Sequence, residues 1–244
     1  MDNKNSGEVL PNSGLSGGYI TTFCVILGRY FFMCVSIYTV NTDYIEFLRS
    51  VDSRVLENEK NFGNLRKYVG VLFKINNYDY FVPLSSPKPS DYVYMDGFKT
   101  IRHSVVPIYR IIETSEDKIN FLGKLKFSSM IPAPPSQLTL LDITSLTEDY
   151  KTLIFNQIRH IRKKLTVLQN RHAKVIYNQK KANYANINYL NDTVDFKKLE
   201  QAMELFIKKD IITDKKLSLT ETAAASADMN ENNGQSSQSF NPQD

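Results

Sequence analysis

The residues best suited to chemistry lie in a short loop that holds two serines and a lysine. Leu84-Ser85-Ser86-Pro87-Lys88 follows a run of β-branched and aromatic residues, and Lys67 precedes an earlier run of the same kind. Hydroxyl and ammonium groups can bind a phosphate and offset the negative charge that develops on it in a transition state. By itself the loop is weak evidence, because Ser-Ser-Pro-Lys segments often only turn the chain.

Other standard catalytic patterns are missing from the sequence. The three histidines, His103, His160 and His172, are not spaced with carboxylates as metal ligands are, which argues against a zinc or two-metal nuclease. Gly63 and Gly70 stand alone, so the sequence has no glycine-rich phosphate loop. Because His172 falls on the apolar stripe of a predicted helix, we interpret it as a packed residue.

The distribution of charge indicates a polyanionic partner more clearly than its total does. The 30 basic and 26 acidic residues give a net charge of +4. Residues 151–191 nevertheless contain nine Lys or Arg residues and no Asp or Glu. This segment could bind the phosphates of a nucleic acid, or it could be a solubilising outer face. The two cysteines, Cys24 and Cys34, lie near the N-terminus, which excludes a disulfide framework from the rest of the chain and fits a reducing cytoplasm.

Hydrophobic spacing predicts the elements that would position the loop. Apolar residues at helical intervals predict a short amphipathic helix that Asn41 or Thr42 caps. Residues 68–75 and 78–84 are rich in β-branched and aromatic residues, and Asn76-Asn77 between them tolerates a left-handed turn. The sequence therefore predicts a β-hairpin that ends at the loop.

The rest of the body is expected to contain further strands and two helices. Strands are predicted at residues 105–113 and 119–127 and near Leu138. A helix over residues 149–177 would have one apolar stripe, with most of the basic residues outside it. Apolar spacing between residues 196 and 206 predicts a final helix.

The two ends of the chain differ from this body. We divide the chain into a disordered or wrongly assigned extension, one folded domain and a disordered tail, at residues 1–34, 35–210 and 211–244. The apolar run of residues 19–38 could be an added strand, a weak membrane-surface segment, or translated sequence upstream of a start at Met33. Because Arg29 leaves no stretch long enough to span a bilayer and no cleavage site follows, we favour the third.

Several short motifs occur in a fixed order along the chain. They are IYTV (37–40), YIEFL (44–48), KYVGV (67–71), YFVPLSSPK (80–88), LKF (125–127), MIP (130–132), LLD (140–142) and QIRHIR (157–162). Together these motifs resemble the ToxN/AbiQ endoribonucleases of type III toxin–antitoxin systems, and the likeness covers about residues 35–208. Several ordered motifs are far more specific than any one of them.

The resemblance implies an α+β fold in a single domain, with a strongly bent antiparallel β-sheet flanked by helices and a long basic C-terminal helix. It implies a metal-independent endoribonuclease toxin that needs no cofactor. A cognate repeat RNA antitoxin, which the toxin cuts into units, would block it in a closed toxin–RNA assembly. The substrate would be cellular or phage RNA, and the setting would be abortive infection in the cytoplasm, without stable membrane association.

Carried over position by position, the family's active-site residues fall on Tyr44, Lys67, Ser85, Ser86 and Lys88. The lysines would clamp phosphoryl oxygens while a 2′-hydroxyl attacks its neighbouring phosphate, which gives 2′,3′-cyclic phosphate and 5′-hydroxyl ends. The serines would orient the phosphate. Tyr44 would stack on a base or donate to the leaving oxygen, although its spacing alone favours a core tyrosine. The expected RNA-binding residues are Arg159, Arg162, Lys163, Arg171, Lys174, Lys180, Lys181 and Tyr184.

Two other functions remain open on the sequence. A noncatalytic RNA-binding regulator would use the same basic helix but would not need Lys67 and Lys88. A membrane-surface protein would be anchored by residues 19–38.

Overall fold

The predicted runs of β-branched and aromatic residues form strands. A computed structural model describes residues 35–60, 64–115 and 118–212. Its strands are β1 (Ser36–Val40), β2 (Glu59–Lys60), β3 (Asn64–Leu65), β4 (Tyr68–Ile75), β5 (Tyr78–Ser85), β6 (Tyr92–Met95), β7 (Phe98–Ile101), β8 (Ile108–Thr114), β9 (Ile119–Lys126), β10 (Ile131–Pro132) and β11 (Leu138–Leu140). The main sheet has the order β11-β1-β4-β5-β9-β8, with β10 also on β5, and its pairings are antiparallel.

The helices cover the sheet with their apolar sides. They are α1 (Thr42–Val51), α2 (Glu148–Val167), α3 (Lys174–Lys181) and α4 (residues 196–212). A π-helical turn, Leu168–Ala173, joins α2 to α3, so the predicted long helix is present with one irregular turn. Asn41 caps α1 as expected, because its side-chain oxygen accepts the main-chain N–H of Asp43 at 2.8 Å. The α+β architecture is confirmed.

The hairpin of β4 and β5 carries the loop that the sequence singled out. Asn76 and Asn77 both have positive φ, 49° and 71°, which is the conformation that a two-residue hairpin turn requires. The register shifts between Val69 and Phe73, and such an irregularity bends a strand pair. The predicted hairpin is confirmed, and Ser85 lies at the end of β5 that is farthest from the turn.

Helix α4 closes the core through one buried carboxylate. Glu200 is 3% exposed and accepts hydrogen bonds from the hydroxyls of Tyr80 on β5 and Tyr177 on α3, each at 2.8 Å. Phe206 lies edge-on to Tyr44, with ring centroids 5.0 Å apart. A buried hydroxyl without a partner would destabilise the fold, so Glu200 ties three elements together.

Three features differ from the sequence expectations or lie outside the described residues. Strand β1 overlaps the end of the apolar run of residues 19–38 and pairs with both β4 and β11; it lies after Met33 and within the predicted folded domain, so the interpretation of the rest of the run stays a prediction. Hairpin β6–β7 was not predicted, and β8 begins at Ile108 because Val105 makes only an isolated bridge. The predicted extension and tail lie outside the described residues, except that 211–212 continue α4. In the described residues, no helix is long and apolar enough to cross a membrane.

Candidate functional site

Lys67 lies beside the 85–88 loop because of the register of β4 and β5. Tyr68 pairs with Pro83 in that register, and the main-chain N–H of Leu84 donates to the carbonyl of Lys67 at 2.8 Å. Lys67 and Leu84 are therefore cross-strand neighbours at the mouth of the hairpin. The residue after Leu84 is Ser85, the last residue of β5. Residues 67 and 85 are thus neighbours in space although 18 positions separate them in sequence.

The side chains of this site differ in their exposure. Ser86 and Lys88 are exposed, whereas Ser85 is 6% exposed. The Lys67 ammonium is half-buried and donates to the carbonyl of Leu65 at 3.1 Å. Burial lowers the pKa of Lys67, because desolvation disfavours its charged form. Lys67 therefore releases a proton more readily than a solvated lysine.

Tyr44 is not part of this site in the structure. Its side chain is 0% exposed, and its hydroxyl donates to the carbonyl of Pro132 at 2.8 Å. Burial raises the pKa of Tyr44 far above its ordinary value. The expectation that Tyr44 contacts RNA is therefore corrected: the residue packs in the core, as its helical spacing alone suggested.

A buried carboxylate that the sequence did not reveal holds the loop in place. Asp91 is 2% exposed, and its Oδ2 accepts the main-chain N–H of Lys88 at 2.9 Å. Arg110 on β8 donates Nη2 to Asp91 Oδ1 at 3.0 Å, and the Lys124 ammonium on β9 donates to Oδ2. Burial opposes the charged form of Asp91, but the hydrogen bonds and charges of these partners prevail and lower its pKa.

This cluster has an excess of positive charge next to the loop. Two buried cations, Arg110 and Lys124, share the single carboxylate of Asp91. Arg110 Nε has no hydrogen-bond partner. Lys124 lies opposite Ser85 in the pairing of β5 with β9. An uncompensated buried charge raises the local potential, which favours an anion at the loop.

Gly123 allows β9 to approach the loop closely. Its φ is +142°, and an added Cβ would lie 3.1 Å from the carbonyl oxygen of Ser85 and 3.0 Å from Gln157 Nε2. Gln157 donates to the carbonyl of Leu122 at 2.6 Å, so helix α2 holds this part of β9 from behind. A side chain at position 123 would push Ser85 or Gln157 away.

The predicted RNA-binding residues line one helical run. Those on α2, the π-helical turn and α3 are exposed except for the half-buried Lys180, and Tyr184 just beyond is 57% exposed. Arg159 Nη2 pairs with Glu113 at 2.9 Å, and Lys180 donates to the carbonyl of Leu190 at 2.7 Å. We call the basic residues of this helical run the basic strip. The basic strip presents cations to solvent, and its role in binding RNA stays a prediction.

A cavity of about 460 Å³ lies against the end of this strip. Basic residues on its wall are Arg54, Lys180, Lys181 and Lys197. Acidic groups offset part of this charge, since Asp52 pairs with Arg54 at 2.8 Å and Glu200 with Lys197 at 2.9 Å. The sequence did not indicate Arg54 and Lys197, because both lie outside the acid-free segment of residues 151–191.

His172 is the packed residue that its place on the apolar stripe predicted. His172 is buried, stacks on Phe127, and its Nδ1 lies 3.1 Å from the carbonyl oxygen of Val106. Burial lowers the pKa of His172, which disfavours its charged form. His160 Nε2 lies 2.9 Å from the Tyr109 hydroxyl. Within the described residues, no three His, Cys, Asp or Glu side chains cluster as ligands of an ion.

Comparisons with known proteins agree on one family. The family model for the toxin ToxN of type III toxin–antitoxin systems matches residues 36–204. Endoribonuclease ToxN of Bacillus thuringiensis subsp. kurstaki is 30% identical over 179 residues, which is 71% of this chain and 84% of that protein. Endoribonuclease AbiQ of Lactococcus lactis subsp. lactis is 31% identical over 177 residues, which is 72% of this chain and 92% of that protein.

Solved structures show the same likeness. The structure of AbiQ, a lactococcal anti-phage endoribonuclease of the type III class, superposes with a TM-score of 0.56 at 27% identity, covering 71% of this chain and 98% of that one. A structure from work on selective toxin inhibition by a non-coding RNA pseudoknot in bacterial type III toxin–antitoxin systems gives a TM-score of 0.56 at 26% identity. That match covers 70% of this chain and 97% of the other.

Proposed function

The chain belongs to the ToxN family of toxins from type III toxin–antitoxin systems, and on that premise we propose that it cuts RNA at the 85–88 loop without a metal ion. The relatives that share most of its length are endoribonucleases, and one of them is an anti-phage protein. The chain is accordingly an endoribonuclease toxin with an RNA antitoxin.

The observation that carries the proposal is the hydrogen bond between the Leu84 N–H and the Lys67 carbonyl. This bond sets the main chain of Lys67 beside Leu84, which directly precedes the two serines, and the buried Asp91 accepts the main-chain N–H of Lys88 in the same loop. We infer that the two ammonium groups and the two hydroxyls of these residues meet around one phosphate. These groups suit a phosphodiester that carries its own nucleophile.

The reaction needs one bond to form and one to break at phosphorus. The 2′-hydroxyl loses its proton and O2′ bonds to the phosphorus, while the bond to O5′ breaks and that oxygen takes up a proton. The products are a 2′,3′-cyclic phosphate and a 5′-hydroxyl end. We assign proton exchange to Lys67, whose pKa burial lowers. We assign the fixed positive charge to Lys88 and the orientation of the phosphate to Ser86, with Ser85 beneath it.

The setting of the reaction follows from the family. We propose that the cognate antitoxin is a repeat RNA, that the toxin cuts it into units, and that the units close around the toxin in an RNA–protein assembly. The exposed cations of α2 and α3 would bind the phosphates of this RNA. The substrate would be cellular or phage RNA in the cytoplasm, where cutting would abort a phage infection.

The experiment compares wild type with Ser86→Ala and Lys67→Ala. We expect wild type to arrest growth and, purified, to cut RNA in the presence of EDTA and leave 5′-hydroxyl ends. Both variants should be harmless and at least about a hundredfold slower. Ser136→Ala and Lys118→Ala are matched controls, because both residues are exposed and lie outside the loop. Equal cutting by wild type and both site variants would overturn the assignment.

A further inference from the structure

We propose that hairpin β6–β7 is an arm that binds an unpaired base of the substrate RNA next to the cut, through Tyr94 and with Lys99 on the neighbouring phosphate. This inference rests on the proposed cutting site, since it concerns the RNA that extends beyond that site. The ligand is single-stranded RNA. The arm would set how tightly the substrate binds and which bases beside the cut are preferred.

The arm is continuous with the cutting loop. Asp91, whose carboxylate holds the N–H of Lys88, immediately precedes β6. Arg102 immediately follows β7, and its main-chain N–H donates to the Asp91 carbonyl at 2.9 Å. Its Nε donates to the Ser90 carbonyl at 3.1 Å. Both ends of the arm are therefore fixed to the turn that positions Lys88.

The base of the arm packs on the sheet, which gives it a fixed direction. Tyr92 meets Phe121 of β9 edge-on, with ring centroids 5.9 Å apart and planes at 74°. The ammonium of Lys99 lies 4.3 Å from the centre of the Tyr92 ring. At the tip, Asp96 and Gly97 have φ values of 50° and 82°, the geometry of a tight two-residue turn. A short ribbon with a packed base and a tight turn can present a side chain without much loss of entropy.

The two faces of the ribbon differ in chemistry. Successive side chains of a strand point to opposite faces, so Tyr94 lies on the same face as Tyr92. Tyr94 pairs with Lys99, which adds a cation to that face. Phe98 pairs with Met95 and lies on the other face. Tyr92 contacts Phe121 of β9, and Lys124 of the same strand pairs with Ser85, so β9 links the Tyr92 and Tyr94 face of the arm to the loop.

The side chain of Tyr94 is more exposed than is usual for a tyrosine in a folded protein. Its side chain is 74% exposed, although a large ring usually buries part of its surface. An aromatic ring beside a cation is the combination that binds single strands, since every base can stack on a ring and the cation meets the phosphate. Charge complementarity with RNA and continuity with the loop both favour RNA over an apolar partner.

The test uses the sequence that wild type cuts, once its products have been mapped. A single-stranded oligonucleotide of that sequence with flanking bases serves as substrate, and kcat and KM are measured separately. We expect Tyr94→Ala to raise KM about tenfold while kcat changes much less. Tyr94→Phe should restore most of the affinity, because it keeps the ring. Phe98→Ala is the matched control, since that ring is 75% exposed on the same arm but faces away.

A direct binding signal can be obtained because the protein has no tryptophan. Tyr94→Trp introduces one indole, whose fluorescence should change when the same oligonucleotide, blocked by a 2′-deoxy sugar at the cut, is added. The inference is overturned if Tyr94→Ala retains the wild-type KM, or if Phe98→Ala raises KM equally. It is also overturned if Tyr94→Ala alters only the oligomeric state on gel filtration, because the surface would then bind a second copy. A wild type that fails to cut RNA defeats the proposed function instead.

Discussion

Replacing Asp91 by Asn should lower the stability of the folded protein much more than the same replacement of an exposed acid in a surface turn. The carboxylate is 2% exposed and is the partner of two cations that are 6% and 7% exposed. Asn is nearly the same size but carries no charge. Arg110 and Lys124 would then both be buried without a counter-charge, and Lys88 would lose an anionic acceptor for its N–H.

The size of the effect follows from this burial. Removing one partner of a buried ion pair costs about 3–5 kcal/mol of unfolding free energy. For a domain of this size each kcal/mol lowers the melting temperature by about 2–4 °C, so the expected loss is about 6–20 °C. Asp96→Asn is the matched control, because Asp96 is an exposed acid at the tip of the neighbouring hairpin. That change should alter stability by less than about 0.5 kcal/mol.

The pH dependence has a defined sign. The pKa of Asp91 is lowered in the folded state, so its contribution is complete above the unfolded pKa of about 3.9 and is lost as pH falls through the folded value. The gap in stability between wild type and Asp91→Asn should therefore be constant near neutral pH and narrow in acid. Chemical denaturation followed by circular dichroism at several pH values measures it.

A second substitution shows whether unpaired charge is the cause. Adding Lys124→Met to Asp91→Asn removes one orphaned cation at similar volume, and this should recover part of the lost stability. We expect RNA cutting to be lowered in Asp91→Asn and to stay lowered in the double variant, because Lys88 lacks its anionic anchor in both. Equal stability of Asp91→Asn and Asp96→Asn at neutral pH would refute the reasoning.

Two further predictions concern the strand behind the loop and the basic strip. Gly123→Ala should lower both stability and RNA cutting, since its Cβ would lie 3.1 Å from the Ser85 oxygen; melting curves and cutting rates test this, and a wild-type rate would contradict it. Lys163→Gln, in the exposed strip, should weaken binding of single-stranded RNA and reduce the slope of log affinity against log salt by about 0.7. Filter binding at several salt concentrations measures that slope, with Lys118→Gln as control. If neither substitution changes the slope, the basic strip is a solubilising face.

The sequence predicts those structural features that depend on residues close to one another in the chain. Asn76-Asn77 sets its own turn, the Asn41 side chain caps its own helix, and the basic strip follows from a count of charges along one segment. In each case the partners are a few positions apart, so spacing alone carries the information. The same holds for His172, whose place on an apolar stripe indicated burial.

The parts that were missed depend on partners far along the chain. Asp91 contacts Arg110 of β8 and Lys124 of β9 only in the folded sheet. The residues next to Asp91 in the sequence do not indicate these two partners. Tyr44 was assigned to the site by resemblance, but its hydroxyl binds Pro132, which is 88 positions away. Hairpin β6–β7 is different, because Asp96-Gly97 between two runs rich in β-branched and aromatic residues is a local hairpin signal that would have predicted it.

The carboxylate of Glu200 also joins parts of the chain that are synthesised at different times. Chains emerge from the ribosome with the N-terminal part first, so β5 exists long before residue 200 does. Until then the hydroxyls of Tyr80 and Tyr177 have no acceptor, and packing the strand that ends at Ser85 is unfavourable. A chain that stops before this glutamate would therefore leave both hydroxyls without their carboxylate acceptor, and we expect its packing of β5 against α3 to be weaker than that of the full chain.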